Sequence, residues 1–260
     1  MDQPDLERFA FGQQLISDAG TLALDYFDRV SSLTVTSKGP QDMVSEADLA
    51  VEQLIRTRLA EAYPEDAFLG EESGFSEVPD STGIWVVDPI DGTQPFVSGL
   101  RTWCISVAYV RDGAVVFGLV NNAAAGELFA GGVGVAATLN DRPIAGHPGK
   151  TLGDGLTFLG CSARMKAEQI VPVLDRLIRA GGMYVRNGSG ALGLCDVACG
   201  RLIGYVEPHI NSWDCLGAIG VLNAADIPVS DFLAGDGLHH GNRIVAGPRA
   251  VYAALDAVLG

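Results

Sequence analysis

Apolar residues recur at helical spacing near the start of the chain. Between residues 5 and 29 they fall every three to four positions, which predicts an amphipathic helix. A second such stretch covers residues 45–62, and Pro64 follows it, where a helix could not continue. The pattern therefore predicts two helices with one apolar face each in the first quarter of the chain.

Strand patterns dominate from residue 102 to residue 139. Two apolar runs, 104–110 and 114–120, flank Asp112-Gly113, and an Asp-Gly pair between such runs favours a β-hairpin. Two later apolar runs, 127–130 and 135–139, extend this hairpin to an antiparallel meander. Shorter strands are predicted at 33–36, 43–44 and 67–70, with a turn at 38–40.

Strands and helices alternate in the second half of the chain. Strands are predicted at 156–160, 183–186, 202–207 and 243–247, and helices at 167–180, 191–199, 213–224 and 250–259. The stretch 140–155 is rich in proline and glycine and is the best candidate for a lobe junction. We therefore expect an N-terminal α+β lobe with an antiparallel sheet over residues 1–145. A C-terminal α/β lobe over residues 146–260 would pack with it as one compact catalytic unit.

The most informative stretch is Ile84-Trp85-Val86-Val87-Asp88-Pro89-Ile90-Asp91-Gly92-Thr93. Its apolar part predicts a buried strand that ends at Asp88, because Pro89 has no N–H for ladder pairing. Gly92 permits a sharp turn, and a helix is expected to open at Thr93. Two aspartates at such a corner suit an Asx-turn and a helix cap, but they also suit a metal ion. The pair around a proline favours the metal.

Further acids occur in ambiguous places. Glu71 and Glu72 end a short strand, and adjacent strands ending together would bring Glu71 near Asp88. Asp48 follows Ser45 at capping-box spacing, so its local sequence favours a cap. Asp214 stands in the first turn of a predicted helix, where an acid complements the helix dipole. Each of these acids has an ordinary structural explanation when it is considered alone.

Composition narrows the class of protein. The chain has 260 residues, of which 48% are hydrophobic and 19% charged, so it can bury a sizeable core. A net charge of −15 argues against binding to a nucleic-acid polymer. We expect no secretory signal or membrane span, and five reduced cysteines without a CxxC motif, which together predict a cytoplasmic protein.

The joint pattern of the acids resembles a known family. Asp88-Pro89-Ile90-Asp91-Gly92-Thr93 is similar to the signature of the inositol monophosphatase family, which are metal-dependent, lithium-sensitive phosphatases. Three further segments match that family in the same order: Asp42-Met43-Val44-Ser45-Glu46-Ala47-Asp48, Gly70-Glu71-Glu72-Ser73 and Trp213-Asp214-Cys215-Leu216-Gly217-Ala218. The resemblance covers nearly the whole chain and implies a layered αβαβα sandwich.

The resemblance also implies a role for individual residues. Two or three Mg²⁺ ions would be bound by Glu71, Asp88, Asp91, Asp214 and the carbonyl of Ile90. Catalysis would involve Glu71, Thr93 and Asp48. Substrate would contact Gly92, Thr93, Gly188, Ser189, Gly190 and Glu207. The implied reaction is hydrolysis of a small polyol or sugar phosphate, such as inositol monophosphate, by a metal-activated water, and a homodimer is expected.

The chain departs from the family pattern beside the signature. Gln94-Pro95-Phe96 stand where relatives often have Thr or Ala and then Asn-Phe, and Gly193 replaces a larger polar residue. These differences leave the leaving group open. The alternatives are a histidinol-phosphate phosphatase, a nucleotide 3′-phosphatase, or a regulatory binding protein with secondary phosphatase activity.

Overall fold

A computed structural model describes residues 1–39, 42–81, 83–162 and 165–260. The turn predicted at 38–40 ends outside these residues. Among them, the helices are α1 (Gln3–Asp28), α2 (Glu46–Ala62), α3 (Thr93–Val97), α4 (Ala167–Arg179), α5 (Gly190–Ala198), α6 (Leu216–Ala224), α7 (Gly237–His240) and α8 (Arg249–Leu259). The strands are β1 (Val35–Gly39), β2 (Asp42–Ser45), β3 (Ala67–Gly70), β4 (Gly74–Ser76), β5 (Ile84–Asp91), β6 (Cys104–Arg111), β7 (Ala114–Asn122), β8 (Glu127–Gly132), β9 (Val135–Leu139), β10 (Arg142–Pro143), β11 (Leu156–Leu159), β12 (Met183–Val185), β13 (Gly204–Ile210) and β14 (Asn242–Ala246).

The strands form two main sheets and a small hairpin. The large sheet has eight strands in the order β10-β9-β8-β7-β6-β5-β3-β4, and the small sheet has the order β12-β11-β13-β14. Strands β1 and β2 pair separately. In the large sheet β3 and β5 are parallel, whereas β5 to β10 form an antiparallel run. The predicted meander is confirmed.

Helices cover both sheets and fill the space between them. α1 and α2 pack on one face of the large sheet, and α6 packs on its other face beside α5, which also contacts β13. α4 and α8 lie together on the outer side of the small sheet. Three apolar clusters fill the interfaces between these layers. One includes Trp85, the second Leu194 and the third Leu255. The order helix, sheet, helix, sheet, helix confirms the predicted αβαβα sandwich.

Local sequence explains some of the element ends. The side chain of Asp2 accepts from the Asp5 N–H at the start of α1, and Pro4 occupies a position in the first turn where no N–H is needed. Asp112 and Gly113 both have positive φ, 53° and 72°, as the tight turn between β6 and β7 requires. No helix in the described part of the chain is both long and apolar enough to cross a membrane.

One predicted strand end is wrong. β5 does not stop at Asp88 but continues to Asp91, and its register with β6 shifts between these two residues. Pro89 lies inside that irregular segment, one of the few places where a strand tolerates proline. The irregularity matters because it sets the spacing of the two aspartates at the sheet edge.

The predicted division at residues 145 and 146 stays a prediction. The last strand of the large sheet ends at Pro143, and the first strand of the small sheet begins at Leu156. One apolar cluster includes Phe129 of the large sheet and Tyr205 of the small sheet. The two sheets therefore share a core across α5 and α6.

Candidate active site

Strand pairing brings Glu71 to Asp88. β3 and β5 are parallel neighbours with Gly70 opposite Val87, and the Glu71 N–H donates to the Val87 carbonyl over 3.1 Å. The carboxyl ends of parallel strands meet at one edge of a sheet. Glu71 therefore lies near Asp88, as the sequence predicted. Its charge contributes to raising the pKa of Asp88.

Three carboxylates converge at this edge. Asp88, Asp91 and Asp214 each place one carboxylate oxygen within 4.8 Å of the others. Asp88 and Asp91 are buried, and Asp214 is half-buried in the turn between β13 and α6. The backbone N–H and the side-chain amide of Asn211 both donate to Asp214 Oδ2 over 3.2 Å. Residues far apart in the chain thus build one acidic centre.

Burial and mutual repulsion make this centre favourable for a cation. Burial, followed by the charges of Glu71, Asp91 and Asp214, raises the pKa of Asp88 well above its usual range. Burial and the charge of Asp214 raise the pKa of Asp91 to about 7. Ionised carboxylates packed this closely need a compensating positive charge. An all-oxygen donor set of this kind fits Mg²⁺.

The start of α5 holds Asp91. Ser189 caps this helix and donates its hydroxyl to Asp91 Oδ2 over 2.6 Å. The N–H groups of Ala191 and Gly190 donate to the same carboxylate over 2.7 and 3.3 Å. Cys104 adds a weak thiol contact at 3.8 Å. These donors favour the ionised form of Asp91 and partly oppose the effect of burial.

Asp48 makes both the cap contact that local sequence predicted and a contact with Thr93. It completes the predicted capping box of α2, because its Oδ2 accepts from the Ser45 N–H over 2.9 Å. Its Oδ1 lies 3.0 Å from the Thr93 hydroxyl, which is also 3.1 Å from the Ile90 carbonyl. Burial raises the pKa of Asp48, and its hydrogen bonds oppose that shift. The cap therefore also fixes an acid beside Thr93.

A pocket of about 470 Å³ opens over the acidic centre. Its lining includes the predicted site residues Glu71, Asp91, Gly92, Thr93, Gly188, Ser189, Gly190, Glu207 and Asp214. The pocket therefore brings together residues from both sheets.

The wall of this pocket contains a buried acid. The Tyr205 hydroxyl donates to Glu207 Oε2 over 2.5 Å, and burial raises the pKa of Glu207 to about 8. A Cβ at Gly160 would collide with the Glu207 carboxylate. Arg186 also lines the pocket and donates to the Cys161 carbonyl over 2.8 Å. Glu207 is held in a defined position at the pocket surface.

The unusual proline packs beside one predicted substrate residue. Gly188 has a φ of 94°, and a Cβ there would lie 2.6 Å from Cγ of Pro95. Gly188 is therefore required both by its backbone conformation and by the proline ring. The proline of Gln94-Pro95, where this chain differs from the family pattern, therefore lies beside this glycine in the pocket wall.

Sequence reasoning missed three supporting features. Glu52 accepts two backbone N–H groups in the turn after β3, Ser189 bonds to Asp91, and Tyr205 bonds to Glu207. A weak signal existed for Glu52, which lies four residues after Asp48 on the same helix face. Ser189 and Tyr205 reach their partners through tertiary packing that spacing does not reveal. The predicted contact of Ser189 and Gly190 with substrate stays a prediction.

Known proteins are similar to this chain in both sequence and fold. An inositol-1-monophosphatase of Mesorhizobium japonicum is 35% identical over 88% of this chain and 87% of its own length. A Nus factor SuhB of Pasteurella multocida is 32% identical over 92% and 91%. A histidinol-phosphatase of Chlorobaculum parvum is 32% identical over 99% and 97%.

A solved structure agrees with these sequence matches. The extragenic suppressor protein suhB from Bartonella henselae superposes with a TM-score of 0.88 at 30% identity, covering 95% of each chain. Residues 5–258 match the sequence profile of the inositol monophosphatase family. This chain belongs to the inositol monophosphatase family, a family of phosphoric monoester hydrolases.

Proposed function

We propose that this protein is a Mg²⁺-dependent phosphomonoesterase that hydrolyses a small polyol or sugar phosphate such as inositol monophosphate. The observation that carries the proposal is the convergence of Asp88, Asp91 and Asp214 within 4.8 Å of one another, with Asp91 and Asp214 lining an open pocket. A buried acid cluster needs cations, and a cation-filled acidic floor attracts a phosphate dianion. A small leaving group fits a pocket of this size.

Glu71, Asp88, Asp91, Asp214 and the Ile90 carbonyl would hold the ions. When bound, Mg²⁺ supplies Lewis acidity and neutralises charge on phosphate oxygens. The chain itself contributes the placement of these ligands, since the end of β3, the last residues of β5 and the turn before α6 meet at one edge of the large sheet. This assignment is supported by the burial of Asp88 and Asp91 and by their close approach to Asp214.

Thr93 and Asp48 would manage the proton of the attacking water. With its own proton directed to Asp48 Oδ1, the Thr93 hydroxyl oxygen can accept a proton from that water. Asp48 is buried and has a raised pKa, so it is suited to hold this proton temporarily. Glu71 faces the same space and would orient the water. The N–H groups of Gly92, which is the N-cap of α3, and of Thr93, its first residue, would hold the phosphate.

Glu207 would bind the hydroxyl groups of the leaving alcohol. Gly188, Ser189 and Gly190 would form the neighbouring wall of the same subsite. We predict that Glu207→Gln lowers kcat/KM for inositol 1-phosphate by about 10-fold or more, because one of the two buried acceptor oxygens becomes an NH₂ donor. The control is p-nitrophenyl phosphate, whose aromatic leaving group has no hydroxyl and should change little. Equal losses on both substrates would contradict this role.

The test of the function is a panel of phosphomonoesters. Phosphate release is measured for inositol 1-phosphate, histidinol phosphate and a nucleoside 3′-phosphate, with saturating Mg²⁺ and with EDTA. We expect Mg²⁺-dependent turnover with the highest kcat/KM for the polyol phosphate. Preference for histidinol phosphate or the nucleoside 3′-phosphate would change the proposed substrate but leave the proposed reaction, phosphomonoester hydrolysis, in place. Absence of turnover on every ester would favour the regulatory binding role that the Nus factor relatives suggest. A homodimer and a cytoplasmic location stay predictions.

A further inference from the structure

We propose that Glu52 is a positioning residue for the candidate metal centre, acting by fixing the turn that presents Glu71. This inference rests on the proposed function, since it concerns the ions that Glu71 would help to bind. Glu52 itself lies on α2 and is not among the residues that line the pocket. It would act through the backbone that follows β3.

Two hydrogen bonds connect Glu52 to this turn. Its Oε2 accepts from the Glu72 N–H over 2.9 Å, and its Oε1 accepts from the Ser73 N–H over 2.8 Å. Glu52 is only 4% exposed, and both bonds are partly buried. A buried carboxylate that accepts two consecutive N–H groups fixes the peptide planes between them.

The sequence around the turn is adapted to this carboxylate. A Cβ at Gly70 would collide with Glu52 Oε2, so the lack of a side chain at this position lets the carboxylate approach β3. Gly70 pairs with Gly74 across the turn, which leaves three residues to reverse the chain. Glu71 is the first of these three. Its own N–H is bound to Val87 of β5, and the next two N–H groups are bound to Glu52.

α2 therefore supports the site at two points. Asp48 and Glu52 lie four residues apart, on one face of the helix. Asp48 contacts Thr93, while Glu52 holds the turn of Glu71. A shift of this helix would move both groups together. The arrangement resembles the outer hydrogen bonds that orient ligands around metal ions in proteins.

The substitution Glu52→Gln tests this role with little change of shape. The amide keeps one acceptor oxygen but directs an NH₂ group at the second backbone N–H, which would then lack an acceptor. We expect the affinity for Mn²⁺, measured by EPR titration of the purified full chain, to fall about 10-fold or more. Amide exchange at Glu72 and Ser73 should become faster. Glu52→Asp, which is one methylene shorter, serves if Glu52→Gln does not fold.

Asp66→Asn is the matched control. Asp66 is also buried and sits at the opposite end of β3, where it accepts from Arg8, Trp85 and Tyr109. Its substitution should lower the melting temperature and leave Mn²⁺ affinity within about twofold of the wild type, the scatter expected for a site without direct coupling.

Each outcome of the titration has a definite meaning. Weakened Mn²⁺ binding in Glu52→Gln but not in Asp66→Asn supports the positioning role. Unchanged Mn²⁺ binding in a folded Glu52 variant overturns that role and leaves the proposed function intact. Equal weakening in both variants also overturns it, because general destabilisation would then explain the effect. Failure of the wild type to bind Mn²⁺ overturns the proposed function together with this inference.

Discussion

Asp91 is the residue in which fold and proposed chemistry meet. It ends β5 of the large sheet, yet its carboxylate is bound by donors at the start of α5. Burial raises its pKa to about 7, while those donors favour ionisation. Its charge state therefore depends on burial and on the opposing hydrogen bonds from a helix in another part of the chain.

Removing the hydroxyl of Ser189 should expose this dependence. In Ser189→Ala, Asp91 loses a 2.6 Å hydrogen bond and α5 loses its cap. We expect a loss of about 2 kcal/mol in the free energy of unfolding. The Mg²⁺ concentration at half-maximal phosphate release should rise about 10-fold or more. Ser230→Ala, in which a serine away from the acids is lost, is the control and should leave the Mg²⁺ dependence unchanged.

Glycines on both elements let α6 approach β7 of the large sheet closely. A Cβ at Gly118 of β7 would collide with the Gly217 carbonyl of α6, and one at Gly220 would collide with the backbone of Gly118. The helix follows directly after the turn that carries Asp214. Close contact between α6 and β7 therefore sets the depth of this acid in the site.

We predict that Gly118→Ala destabilises the fold by about 3 kcal/mol, because the added methyl forces α6 away from the sheet. Gly153→Ala is the control, since a Cβ there would meet its nearest neighbour at an ordinary 3.5 Å. Urea unfolding with and without Mg²⁺ measures both effects. A Gly118→Ala protein as stable as Gly153→Ala would show that α6 does not need this close approach.

Sequence patterns predicted the individual helices, strands and turns better than the contacts between them. The hairpin at Asp112-Gly113 and the capping box at Ser45 and Asp48 are local chemistry, and both are confirmed. The end of β5 was predicted wrongly, because pairing with β6 continues beyond Pro89 through a register shift. Whether a strand ends at a proline or passes it in a bulge depends on its neighbour, which local sequence does not contain.

The sequence predicted which acids form the candidate site, but not the hydrogen bonds that hold these acids in place. Family resemblance identified Asp88, Asp91 and Asp214, which the fold brings within 4.8 Å. The bonds from Ser189 to Asp91 and from Glu52 to the Glu71 turn join residues that are 98 and 20 positions apart. Such contacts follow from how helices pack on the sheets. They can be identified only once the packing of the helices on the sheets is known.

At the scale of the whole molecule, net charge and the buried acids predict a stability that depends on pH and on metal. The folded pKa of Asp91 is about 7 against an ordinary value of 3.8. Between these values the folded state binds more protons than the unfolded state. The contribution of Asp91 to the free energy of unfolding therefore falls as pH rises from about 4 to 7. Asp88, with its pKa raised further by burial, acts in the same direction.

Thermal melts in EDTA at pH 5 and pH 8 check this sign. The metal-free protein should melt at the lower temperature at pH 8, and Asp91→Asn should reduce the difference. Mg²⁺ at about 100 times its Kd at pH 8 should add about 2.7 kcal/mol at that pH. The same Mg²⁺ concentration should add less at pH 5, where protons compete for the carboxylates. Na⁺ at equal ionic strength is the control. A metal-free protein that is more stable at pH 8, with no change in Asp91→Asn, would contradict the electrostatic account.

The central claim is that the acid cluster supports hydrolysis of a phosphomonoester. The most direct measurement is phosphate release from inositol 1-phosphate by wild type and Asp91→Asn across a Mg²⁺ titration, with folding verified by circular dichroism. We predict Mg²⁺-dependent release by the wild type. In the variant, kcat/KM should fall by at least about 100-fold at every Mg²⁺ concentration, since a direct ligand should matter no less than the hydrogen bonds around it. Near-wild-type turnover by a folded Asp91→Asn protein would contradict the account.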